Sequence, residues 1–268
     1  MTKMRVFILT CMDRGYTTDC FPRLINCPQI EVVGVVRAIG SGASRWRSLK
    51  RRLLKIMKIG VLGALNGIRM RAWYQSENTD TPDIRQLCQE YHVPFYTITG
   101  LNSPEMIELV SEFKADLGIS LGNGYISPRV FNLPRNGMIN LHSEILPQYQ
   151  NAQSIIWPIY CRDTNTGFTI HRIARKIDAG DILYQKKIPL QFCRTLEQTV
   201  RTNKMHVDQL IPEAMAEVCA NFEIYVKKSI PQMHGNSYTT PSIVQFIRMV
   251  VNNKYLYKKQ QNSNVISK

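Results

Sequence analysis

Short apolar, β-branched runs alternate with stretches of helical length along the first half of the chain. Arg5 to Thr10 and Glu31 to Val36 each read as a buried strand, with room for a helix between them. Pro82 to Tyr91 predicts a helix and Phe95 to Ile98 a strand. Ser103 to Phe113 predicts a helix with Ser103 as N-cap and Glu105 and Glu108 near its positive end. Leu117 to Leu121, Met138 to Leu141 and Gly167 to Ile173 follow as strands. The alternation of strand and helix through the first half predicts an α/β fold with a parallel sheet, in which ligands bind at the carboxyl ends of strands.

Beyond these strands the pattern changes. Leu196 to about Val226 predicts one or two helices, with Pro212 near a start or a kink. Pro231 to Pro241 is polar and loop-like, Ile243 to Val251 is a short apolar helix or strand, and the tail KKQQNSNVISK is expected to be disordered. The expected fold class is therefore a Rossmann-like, mostly parallel sheet flanked by helices over residues 1–190, with a small helical and irregular C-terminal extension over 191–268. No GxGxxG follows the first strand, so a dinucleotide-binding reading loses its main support.

The segment from Ser44 to Arg71 departs from this alternation. It holds many Lys and Arg residues and no acid, and as a helix it sets Leu49, Leu53, Ile56 and Met57 on one face, with Lys50, Arg51, Arg52 and Lys55 largely elsewhere. Gly60, Gly63 and Gly67 follow at spacings that also fall near one helical face. One reading is a solvated basic helix and a glycine-containing connection. The other is a surface element, spanning about 45–71, for phosphates or for an anionic membrane surface. The formal charge of +14 fits phosphorylated ligands, nucleic acid or anionic lipid, and does not choose among them.

Composition adds exclusions. With 44% apolar and 20% charged residues the chain is that of a folded globular protein. Seven cysteines, an odd number without CxxC or zinc-ligand spacing, point to reduced thiols and no metal centre. Asp13 and Arg14 interrupt the first apolar run, which reads as a strand and not a signal peptide. The expected location is cytoplasmic, peripheral to the inner face of a membrane if the basic segment touches lipid.

The chemistry concentrates between Gly137 and Leu183. Asn140 and His142, two apart at the end of a strand, project to the same side, and Asp178 follows the strand Gly167 to Ile173. An amide, an imidazole and a carboxylate at strand ends can form an acid–base constellation, although each alone is more often structural. His171 lies within a strand as a core or supporting group.

In order, NLH, ILPQY, Trp157, TGFTIH and IDAGDIL resemble the folate-dependent formyltransferases. That family includes glycinamide ribonucleotide transformylase, methionyl-tRNA formyltransferase and the sugar N-formyltransferases. The resemblance is strong from about Tyr91 to Pro189 and architectural from Met4 to Val36. It implies N10-formyltetrahydrofolate as co-substrate, no metal, and catalytic roles for Asn140, His142 and Asp178. It also implies a pterin pocket at Gly124, Tyr125 and Ile126 and before the aspartate, with Ile177 and Asp181 as further contacts.

Two departures bear on the acceptor. Glu144 follows Ser143 where the family has serine two residues after the histidine, and Gln150 and Asn151 stand where it has arginine and glycine. Glu144 reads either as a ligand for the acceptor amine or as a helix-start residue, and Tyr149 as a substrate contact. The expected acceptor is a small-molecule amine, phosphorylated or nucleotide-linked, above all the amino group of a nucleotide-linked amino sugar. Initiator methionyl-tRNA is the alternative. A formyltetrahydrofolate hydrolase-like or non-catalytic folate-binding protein is a third, and a homodimer is a further expectation.

Overall fold

The computed structural model describes residues 3–40, 45–74 and 82–266. Seven strands form one sheet in the order β3-β2-β1-β4-β5-β6-β7. They are β1 (Met4–Thr10), β2 (Ile30–Ile39), β3 (Phe95–Thr99), β4 (Leu117–Leu121), β5 (Met138–His142), β6 (Asn165–Arg172) and β7 (Ile182–Pro189). The first five pair in parallel, and β6 pairs antiparallel with both β5 and β7. The fold class is thus the expected mostly parallel α/β sheet.

The strands are legible because they are buried. Val6 to Leu9 and all of Leu117 to Leu121 are inaccessible or nearly so, and a strand covered on both faces reads as a continuous apolar run. α1 (Tyr16–Ile25) and α8 (Leu196–Ala220) cover one face, where Phe21, Leu24, Ile211, Met215 and Val218 share a core with Val6 and Ile8. α5 (Pro104–Glu112) covers the other, capped by Ser103, whose hydroxyl accepts the Met106 N–H at 3.2 Å. α4 (Ile84–Glu90) opens with a capping box between Asp83 and Gln86, while the short α6 (Pro128–Phe131) follows β4 and α7 (Ile156–Cys161) follows β5.

Three local expectations change. α2 (Arg45–Ile59) and α3 (Val61–Arg71) are separate helices divided at Gly60, whose φ is 77°, and Gly63 and Gly67 lie inside α3 and not in a connection. α8 runs unbroken through Pro212, and a short α9 (Phe222–Lys227) follows. Ile243 to Val251 is only the start of α10 (Ile243–Ile266), which takes in most of the tail read as disordered. Gln260 holds that tail down: its Oε1 accepts the Phe192 N–H at 2.9 Å and its Nε2 donates to the Leu190 carbonyl at 3.2 Å. Beyond residue 190 the described elements contribute to two cores. α8 belongs to the main core, and Met249 and Leu256 of α10 join Tyr149, Trp157 and Phe192 in a second one.

Candidate active site

β5 lies at the boundary between the parallel strands and the antiparallel hairpin, and a cleft of about 310 Å³ opens there. Asn140 pairs with Ser120 on its parallel side and with His171 on its antiparallel side. Asn140, His142, His171 and Asp178 all line the cleft, although up to 38 positions separate them in the chain.

The hydrogen bonds orient each group. His171 Nδ1 lies 2.9 Å from the Arg172 carbonyl, which only accepts, so Nδ1 carries the proton. Burial holds this imidazole below its ordinary value, at about 4, in the neutral form. Its Nε2 is then an acceptor for Asn140 Nδ2 at 3.2 Å. That contact fixes which end of the Asn140 amide is NH₂, and one of its two N–H bonds remains available to the cleft.

His142 is arranged in the opposite sense. Its Nε2 is 2.7 Å from the Tyr149 carbonyl and must donate to it, so Nδ1 is the nitrogen left for a substrate. The carboxylate of Asp178 lies between the two imidazoles, 3.6 Å from His142 Nδ1 and 3.7 Å from His171 Nε2.

A second loop secures that carboxylate. The Asn151 N–H donates to Asp178 Oδ2 at 2.9 Å, and Gln150 Nε2 donates to the Asp178 carbonyl at 3.1 Å. Asn151 and Asp178 both have a φ of 53°. Asparagine and aspartate tolerate this left-handed conformation better than other side-chain-bearing residues.

The opposite wall of the cleft is the segment after β4. Gly122 turns the chain with a φ of 70°, Gly124 and Tyr125 line the opening, and Ile126 is buried beneath it. Asn102 clamps this wall, donating to the Tyr125 carbonyl at 2.9 Å and accepting the Ser127 N–H at 2.6 Å. Asn123 donates to the Leu9 carbonyl and to Ser120, while its buried Oδ1 has no protein partner. Among the described residues no group of three or more His, Cys, Asp and Glu could hold a metal ion.

Residues 70–215, more than half of the chain, match the family model described as formyl transferase. The chain belongs to the formyl transferase family. Methionyl-tRNA formyltransferase from Bacteroides fragilis is 31% identical over 149 residues, which are 56% of this chain and 45% of that protein. The enzyme of the same name from Geobacillus thermodenitrificans is 33% identical over 111 residues, 41% of this chain and 35% of the relative. The chain thus matches less than half the length of these curated relatives. Solved structures share its fold at low identity. A sugar N-formyltransferase from Shewanella has a TM-score of 0.55 at 13% identity, covering 93% of this chain and 87% of that one. Phosphoribosylglycinamide formyltransferase from Anaplasma phagocytophilum has a TM-score of 0.52 at 14% identity, covering 82% and 88%.

Within this formyl transferase domain the residues expected at the site divide into two groups. Asn140, His142, Asp178, Gly124, Tyr125, Ile126 and Ile177 line one cleft. Asp181, Glu144 and Tyr149 do not. The Asp181 carbonyl accepts the Arg172 N–H at 2.9 Å beside the β6–β7 hairpin. Glu144 is fully buried, and its carboxylate accepts the N–H groups of Ile145 and Ile155 at 3.1 and 2.6 Å and the Thr166 hydroxyl at 2.7 Å. Burial raises its carboxyl to about 7. Tyr149 is buried and donates its hydroxyl to Asp163 at 3.2 Å; only its carbonyl touches the site, through His142.

The Glu144 and Tyr149 side chains, expected at the acceptor, lie outside the cleft and are held by protein groups: three donors surround the Glu144 carboxylate, and the Tyr149 hydroxyl donates to Asp163. Sequence reading also missed Gln150, Asn151 and Asn123. Gln150 and Asn151 appeared only as losses, although an asparagine in place of glycine is itself a sign of a left-handed backbone.

Proposed function

We propose that this chain transfers the formyl group of N10-formyltetrahydrofolate to the primary amine of a nucleotide-linked amino sugar. The observation that carries the reading is the convergence of Asn140, His142 and Asp178 on one cleft. The folate derivative supplies an activated one-carbon unit, and the chain supplies orientation and charge.

The cleft suits a pterin by the backbone groups around it. The Gly122 to Ile126 and Ala174 to Asp178 segments line it from two sides, and Asn123, whose buried Oδ1 has no protein partner, is among the lining residues. The free N–H of Asn140, and Nδ1 of His142 when it carries a proton, are positioned to stabilise an oxygen gaining negative charge. Asp178 is the group able to take the proton that an attacking amine gives up, directly or through water, and to return it to the folate nitrogen from which the formyl carbon departs. His171 acts through Asn140.

The nucleotide-sugar acceptor rests on charge. A diphosphate is matched by the excess of 34 Lys and Arg over 20 Asp and Glu, and Lys176 lines the cleft itself. The sugar N-formyltransferase fold, overlapping both chains almost end to end, agrees with this reading. Methionyl-tRNA is the second reading, favoured by the names of the sequence relatives.

The deciding experiment incubates purified protein and N10-formyltetrahydrofolate with a panel of amino-sugar nucleotides or with charged initiator tRNA, and reads products by mass. Formylated amino sugar supports the proposal. Formylation of the tRNA alone overturns the acceptor, and release of free formate alone overturns transfer.

A further inference from the structure

Helices α2 and α3 leave a broad apolar face uncovered. On α2, Leu49, Leu53 and Leu54 are exposed, and Trp46 and Met57 are each 81% accessible, while Ile59 turns inward. On α3, Val61, Leu62, Leu65 and Ile68 are exposed, while Gly63, Gly67 and Met70 are buried. The glycines seat α3. A Cβ on Gly63 would stand 3.1 Å from the Ser242 Cα, and one on Gly67 2.6 Å from Thr240 Cγ2. Packing therefore fixes which side of α3 faces out, and that side is apolar. Contiguous exposed patches of this kind mark interaction surfaces.

The same segment is strongly cationic. Positions 45 to 71 hold nine Lys and Arg residues and no Asp or Glu. Lys50, Lys55 and Lys58 are exposed along α2, beside the apolar residues.

We propose that α2 and α3 form a platform that docks the protein on the anionic surface of a lipid bilayer, lying in the interface with the apolar face inward. Charge complementarity selects this occupant. A second copy would bring nine cations against nine with no acid to pair them, because a two-fold contact opposes like patches. Nucleic acid would match the cations but leave the apolar face in water. A basic amphipathic helix with an exposed Trp suits the headgroup boundary, where apolar burial and anionic lipid act together. No helix among the described residues is long and apolar enough to cross, so the platform rests on the surface.

The test needs no turnover and is independent of the formyl-transfer reading. Full-length protein is floated with phosphatidylcholine vesicles with and without phosphatidylglycerol, while tryptophan emission is recorded. Trp73 and Trp157 are buried, so Trp46 is the reporter. Binding to the anionic vesicles alone is expected, with a blue shift, and it should fade as salt shortens the screening length from about 10 Å at 0.1 M to about 3 Å at 1 M. The triple variant Lys50→Glu/Lys55→Glu/Lys58→Glu should weaken binding roughly 100-fold or more, and Trp46→Ala/Met57→Ala roughly tenfold or more. Both should melt like the parent, since these side chains are exposed. Equal partition onto neutral vesicles overturns the proposal. So does absence of vesicle binding, whether the triple variant instead alters self-association in sedimentation or alters binding to bulk tRNA.

Discussion

The backbone N–H of Asn151 donates to Asp178 Oδ2 at 2.9 Å, and both residues are left-handed with a φ of 53°. Two locally costly conformations are thus coupled by one bond, and together they hold the carboxylate beside His142.

From this coupling, Asn151→Gly is expected to keep or raise the melting temperature, because glycine adopts the conformation freely. Asn151→Val should cost about 1–3 kcal/mol and lower kcat with it. Calorimetry and steady-state kinetics on both variants check this, and equal behaviour of the two would contradict it.

Asn140→Ala, His142→Ala and Asp178→Ala should each lower kcat by roughly 100-fold or more, equivalent to about 2.7–4 kcal/mol of lost transition-state stabilisation. Melting temperatures should move by only a few degrees. Three variants with parental turnover would remove these side chains from the chemistry.

His171 should behave as a positioning residue. His171→Ala frees the Asn140 amide to rotate, so kcat falls while KM for folate changes little. Its pH signature is distinct. Burial holds the folded value near 4, below the ordinary 6.5, so the unfolded chain binds the extra proton first. Stability is therefore full above pH 6.5 and falls as pH drops toward 4. His171→Gln should flatten that limb in melts across this window, and an unchanged slope would count against the assignment.

Glu144 works in the opposite direction. Its carboxyl is raised to about 7 in the folded state by burial, so its contribution is present below about 4.5 and lost as pH rises through 7. Glu144→Ala strands the Ile145 and Ile155 N–H groups and should cost about 1–3 kcal/mol for each. Turnover per folded molecule should stay near parental, since the side chain lies outside the cleft. Loss of activity without loss of stability would return Glu144 to the acceptor site.

Much of this was legible in the chain. The central strands announced themselves because burial on both faces leaves an uninterrupted apolar run, and Ser103 marked the start of α5 because a hydroxyl there meets an unsatisfied N–H. Asn140 and His142 were readable as a pair because alternate residues of a strand share a side. α10 was misjudged because its polar tail is held by Gln260 reaching residues about 70 positions away, which no local pattern records.

Residue type at short spacing sufficed for the α/β alternation, the family motifs and the acid-free basic segment. That Glu144 is enclosed by three donors, that His171 sets the Asn140 amide, and that Asn151 anchors Asp178 emerged with the folded chain. Those outcomes depend on which groups from distant elements share a hydrogen bond, and a bond between residues 27 or 31 positions apart leaves no periodic trace in the chain.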